Sequence, residues 1–202
     1  MPPKPRTAPL TKIDVSLFTP LMETHLSIAL ERYFYLMSEF PSFKKRSYSP
    51  NEDFEFEYFD YYALKAARGD FSNPIVKEIY FDLVAHPTTL TNPDDLAIEF
   101  ATRCTRRGVT IGHHLSFCSK AIHTNDLLMP IYDSRIQEYL TKIYSVGSTY
   151  SDIYDWYYTK NPSIISDQKA ILTWFRTKFS RFAAVSDIKV LDTVIFIWHK
   201  YK

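Results

Sequence analysis

Residues 108–140 read GVTIGHHLSFCSKAIHTNDLLMPIYDSRIQEYL, and this stretch decides the fold. Gly108 and Gly112 bound a short turn, apolar residues then recur at helical spacing, and Pro130-Ile131-Tyr132-Asp133 brings a carboxylate to the mouth of the next helix. A glycine leaves its backbone N–H uncovered and a helix start leaves N–H groups unpaired, so a turn of this kind can hold a phosphate. One carboxylate beside a held phosphate is the minimum equipment for chemistry on a nucleotide.

Outward from this stretch the pattern stays helical. Thr19-Pro20, Asn73-Pro74 and Asn92-Pro93 each put a capping side chain before a proline at a first helical position. The periodicity predicts helices over 21–40, 61–68, 75–85, 96–107, 113–123, 134–146, 150–159, 166–179 and 186–202, with Pro41 ending the first and Gly69 the second. Phe54-Glu55-Phe56-Glu57-Tyr58 alternates like a short strand, with an edge or a loop as the alternatives. The expected fold is therefore all-α, about eight helices in a two-lobed domain with little or no sheet. A flexible Pro-rich lead-in covers residues 1–18, one helical domain covers 19–202, and the lobes are expected to meet near residue 90.

The composition allows a substantial core, since 46% of the 202 residues are hydrophobic. Only four glycines argue against a sandwich or barrel. Fifteen Tyr, fifteen Phe and three Trp suit a core and a base-stacking surface equally. A net charge of +1 argues against a protein that coats a polyanion, though not against a local nucleic-acid site. The basic groups cluster at Lys44-Lys45-Arg46, Arg103 to Arg107 and Arg176 to Arg181, offset by the acidic run from Asn51 to Glu57. Two cysteines without metal-ligand spacing point to a reducing, intracellular home and to no metal site. No apolar run reaches membrane-spanning length, and no signal core is evident in MPPKPRTAPL.

The helix over 96–107, the GVTIG turn, the helix over 113–123 and the following P-I-Y-D together resemble the helix-hairpin-helix DNA glycosylase superfamily, whose members act on 8-oxoguanine, adenine mismatches, thymine glycol and alkylated bases. The family pattern is a hairpin like L-P-G-V-G, a lysine or neutral residue two places after the second glycine, and then P-[IV]-x-D at a helix start. Here Gly112 stands for the second glycine, His114 for the lysine and Asp133 for the aspartate, and the separation 133 − 114 = 19 is kept or nearly kept in those enzymes. The resemblance covers residues 96–140. Thr110 replaces the first hairpin glycine, so that Gly108 starts a wider turn, and Lys120 lies nearly two helical turns past His114 and faces elsewhere.

The resemblance implies a monofunctional glycosylase that flips a damaged or modified base out of double-stranded DNA and leaves an abasic site, in repair or in defence against modified phage DNA. Asp133 and His114 are the implied catalytic residues, and Gly108, Thr110, Gly112 and Arg135 the implied phosphate contacts. Cys118, Phe117, Phe196 and Trp198 are the implied base pocket. No cofactor is required, although the hairpin leaves room for a monovalent cation. The expected protein is an intracellular, cytoplasmic monomer, of bacterial or phage origin rather than nuclear. Simpler roles stand beside these. Asp133 can cap the helix that begins at Ser134, and His114 can be a half-buried hydrogen-bonded histidine. Cys118 can be a small hydrophobe, and Phe196 and Trp198 can be core. The competing functions are a helix-hairpin-helix protein that holds DNA without chemistry, and a helical interaction or toxin-like domain. Asp133 at catalytic spacing separates the first from an enzyme, and a large exposed apolar patch would mark the second.

Overall fold

The computed structural model describes residues 10–45, 52–62, 68–159 and 161–202. Among these residues the protein is all-α, with ten α-helices and no strand. The helices are α1 (Pro20–Lys45), α2 (Glu52–Tyr61), α3 (Arg68–Phe71), α4 (Pro74–Ala85), α5 (Pro93–Arg106), α6 (Leu115–Asn125), α7 (Ser134–Tyr144), α8 (Tyr150–Tyr158), α9 (Pro162–Lys178) and α10 (Asp187–Tyr201). None of them is long and apolar enough to cross a membrane. The chain forms two compact units: a terminal unit of Met1–Ser27 with Asp133–Lys202, and a central unit of Ile28–Tyr132. The boundary expected near residue 90 therefore falls inside the central unit, in the loop between α4 and α5.

In the central unit α4, α5 and α6 pack on one another. Helix α4 buries Val76, Ile79, Tyr80, Phe81, Leu83, Val84 and Ala85, most of its circumference. Two expectations fail here, both for reasons of packing. Pro41 lies inside α1 rather than ending it. The ring costs one backbone hydrogen bond, about 3 kcal/mol in an unsupported helix, but Phe43 in the next turn is buried and stacks on Phe54 at 4.4 Å. The segment expected to alternate as a strand is helix α2. The buried aromatics Phe54 and Tyr58, with Tyr62 just past its end, recur every four positions, and Phe56 is left exposed, so tertiary burial selects the helical face over the period-two pattern. The expected helix over 61–68 lies largely outside the described residues, and Gly69 sits within α3 instead of closing a helix.

In the terminal unit α10 packs against α7 and α9. Nearly every residue from Ile188 to Trp198 is buried, which makes α10 the axis of this unit. Helices α7 and α10 run in step. Arg135 lies over the Phe196 ring at 4.7 Å and Glu138 meets His199 at 3.0 Å, an offset of 61 positions in both pairs (196 − 135 and 199 − 138). The described part of the lead-in is not loose. Asp14 caps a 3₁₀ turn at Val15–Leu17, Phe18 is buried against Trp174 and Trp198, and Thr11 O accepts the Trp198 Nε1–H. Residues 1–9 of the expected flexible segment lie outside the described residues.

Candidate functional site

The residues singled out by the sequence fall in both units. Gly108, Thr110, Gly112, His114, Phe117 and Cys118 belong to the central unit, and Asp133, Arg135, Phe196 and Trp198 to the terminal unit.

In the central unit, α5 ends in a Schellman cap. Gly108 has φ +78, its N–H donates to Thr105 O at 2.9 Å, and the Val109 N–H donates to Cys104 O at 2.9 Å. Glycine is required at this position because the left-handed backbone strains any side chain. The same geometry removes Gly108 from the phosphate contacts expected of it, since its amide is committed to the helix end. From Val109 to His114 the chain is an irregular loop rather than a tight hairpin, with Thr110 and Gly112 exposed. A Cβ added to Gly112 would meet nothing within 4 Å, so the loop is open to solvent there.

His114 is the N-cap residue of α6 without a side-chain capping bond. Its Nε2 lies 2.7 Å from Asp70 Oδ2, and its ring stacks on Phe117 at 4.9 Å. Phe71 and Phe100 lie within about 6 Å of the same ring. Phe117 is half-buried among Phe71 and Tyr80. Cys118 is only 1% exposed, and burial, with the Asp94 charge adding to it, pushes its thiol up to about 12. A thiol so placed is a small core hydrophobe and not a wall for a flipped base. Lys120 is 4% exposed, with Nζ donating to Ser116 Oγ at 2.6 Å and lying 5.8 Å from the Phe117 ring centroid.

The segment that leads to the aspartate is tied to α6. His123, fully buried, donates from Nδ1 to Met129 O at 2.6 Å, and the Tyr132 N–H donates to Ser119 Oγ at 2.9 Å. Pro130 and Ile131 are buried. The chain up to Tyr132 is thus held by buried side chains of α6.

In the terminal unit Asp133 is the N-cap of α7, its Oδ1 accepting the Arg135 N–H at 3.0 Å. Capping is the simpler of its two expected roles, and it also orients the half-buried carboxylate. The Arg135 guanidinium covers the Phe196 face, so Phe196 carries a cation rather than an open stacking surface. Trp198 is closed off completely: it is 0% exposed, stacked on Phe18 at 5.6 Å, with Lys202 Nζ 4.1 Å from its ring centroid. The base-pocket role implied for Trp198 gives way to a core role.

Two partnerships escaped the sequence. Asp70 stands 44 positions from His114, and no spacing rule connects them. The Tyr157 hydroxyl donates to Asp192, both buried. Burial raises that phenol well above its ordinary range, and Asp192, Tyr150 and Asp133 each add to the effect. A single carboxylate inside the apolar run of α10 was the available signal for Asp192. Among the described residues no group of three or more His, Cys, Asp or Glu side chains is placed to hold a metal ion. No family model, no curated protein and no solved structure matches the chain.

Proposed function

We propose that this protein is a monofunctional DNA N-glycosylase, with Asp133 as its catalytic carboxylate and double-stranded DNA carrying a modified base as its substrate. The observation that carries the reading is the half-buried Asp133 at the head of α7, its carboxylate oriented by the Arg135 N–H. The order of elements supports it as well: a helix, a glycine-capped turn, an open loop, a second helix and then the aspartate.

Breaking an N-glycosidic bond builds positive charge on the sugar, and a fixed carboxylate stabilises it. The C1′–N bond breaks with its electron pair going to the base, and water adds its oxygen to C1′. One proton of that water is lost and the departing base gains one. Water is the nucleophile in this reading because His114 stands where a Schiff-base lysine would be needed and Lys120 is occupied with Ser116. The enzyme must first extrude the base and grip the flanking phosphates; Arg135 and the exposed loop at Thr110 and Gly112 are the candidates for that grip.

A panel of duplexes, each with one modified base, tests the proposal: incubation followed by alkali should cut one or a few members at the modified position. A second reading, DNA binding without chemistry, draws on the capping bond of Asp133. Tight duplex binding with no alkali-labile site on any member would favour it.

A further inference from the structure

We infer that Asp192, held by Tyr157, is a second carboxylate serving the Asp133 site, a role that rests on the glycosylase reading above: it does not touch the substrate but adds its charge to that of Asp133 where the sugar becomes positive. All three residues belong to the terminal unit. Asp192 is 2% exposed, and the Tyr157 hydroxyl donates to its Oδ1. A donor aimed at a carboxylate favours the ionised form. The place of Asp192 on α10 turns it toward the head of α7. Arg135 over Phe196 and Glu138 with His199 set the register of the two helices. Asp192 stands four and seven positions before those α10 partners (196 − 192 and 199 − 192), on the same face. It therefore lies one helical turn from Phe196, on the side where α7 begins with Asp133. Tyr157 feels both carboxylates: burial pushes its phenol well above the ordinary range, and Asp192, Tyr150 and Asp133 each push it further.

An ionised carboxylate is costly to bury, and its neighbours on α10, Leu191, Val194 and Ile195, are apolar and buried. Lys189, buried three positions earlier, brings a positive charge to the same helix but lies farther along it from Phe196 and the head of α7. What the arrangement supplies is a negative charge that water does not screen. Two carboxylates are the usual equipment for breaking a glycosidic bond, because the sugar passes through a cation. Asp133, half-buried, is the one that meets the substrate. Asp192 acts through the field, which carries farther in a water-poor site than in solvent. The Tyr157 hydrogen bond holds that charge in place before the reaction begins, so no reorganisation is needed when the cation forms.

The test uses the full chain and two fluorescent duplexes that differ at one position. One carries a tetrahydrofuran abasic analogue, neutral at the sugar, and the other a pyrrolidine analogue whose protonated ring nitrogen mimics the sugar cation. Anisotropy reads binding and thermal melting reads folding. The wild type should prefer the pyrrolidine duplex, as an enzyme complementary to the cationic transition state does. Asp192→Asn keeps an acceptor for the Tyr157 hydroxyl and removes only the charge. It should bind the tetrahydrofuran duplex as the wild type does and lose about tenfold in affinity for the pyrrolidine duplex. That loss should persist as salt is raised, because a buried charge is screened far less than an exposed one. Tyr157→Phe, which withdraws the donor that favours the ionised carboxylate, should lose part of the preference and decides the matter if Asp192→Asn does not fold. A carboxylate that only completed the core would alter melting and leave the preference between the two duplexes intact. If the wild type prefers the pyrrolidine duplex and the folded variants prefer it equally, the inference is wrong and the glycosylase reading stands. If the wild type binds neither duplex, or binds both alike, the two fall together.

Discussion

The turn after α5 and the turn before α7 were read from the same kind of sequence signal, and they use it differently. At Gly108 the backbone is consumed by its own helix: the glycine is there to close α5, and its amide faces Thr105 O. At Asp133 the side chain also serves its own helix, through one carboxylate oxygen bonded to the Arg135 N–H. The difference lies in what a cap leaves over. A glycine has no side chain to offer once its amide is bonded, whereas a capping aspartate is also a carboxylate. One residue can therefore both start a helix and stabilise a developing cation, and the first turn must contribute through its side chains and its open loop.

The sharpest way to break this comparison is to look for an amine nucleophile. Borohydride should trap no covalent complex between the protein and a substrate duplex, and strand breaks should appear only after alkali. A trapped species that disappears in Lys120→Ala would show that the buried lysine, and not the Asp133 side with water, drives the reaction.

Thiol reactivity tests the central-unit side. The thiolate is the reactive form, and a thiol raised from 9.0 to about 12 has about a thousandfold less of it near neutral pH. Raising the pH toward 9 should leave native Cys118 unreactive to a maleimide, while the unfolded chain reacts readily. Prompt labelling of Cys118 in the native protein, blocked by DNA, would return it to a base-facing pocket.

The two glycines can be separated by alanine. Gly108→Ala should destabilise the fold by about 1–2 kcal/mol, the cost of a left-handed backbone for a residue with a Cβ, and leave duplex binding by the folded protein unchanged. Gly112→Ala should change stability by well under 1 kcal/mol, because nothing lies within 4 Å of the added atom, and should weaken duplex binding a few-fold if a phosphate approaches that backbone. Melting and anisotropy on the same two proteins read both effects, and the opposite pattern would reverse the roles assigned to them.

What the sequence made legible was local. Thr19, Asn73, Asn92 and Asp133 all cap the helices that follow them, because a cap is a contract between residues two or three apart. What it hid was non-local. Pro41 stays helical because of Phe43 against Phe54, and α2 is a helix because of which of its residues a distant core buries. The lead-in is docked by Thr11 on Trp198, 187 positions away. In the candidate site the aspartate and its helix were readable, whereas Asp70 behind His114 and Tyr157 on Asp192 belong to tertiary contacts that no spacing announces.

The smallest expected effect concerns Arg135. Its guanidinium is already engaged with Phe196, so Arg135→Ala should lower duplex affinity modestly, equally for all sequences, and reduce the slope of log affinity against log salt by about one. An effect confined to one sequence would make it a base reader instead.

The most direct test of the central claim is Asp133→Asn. Asparagine caps helices as well as aspartate does, so the variant should melt with the wild type and bind the substrate duplex within a few-fold. Its single-turnover excision should fall by a factor of about 10² to 10³ or more, because an amide cannot stabilise the developing sugar cation as the carboxylate does. An Asp133→Asn protein that folds, binds and still excises the base at the wild-type rate would reduce Asp133 to a helix cap and contradict the account.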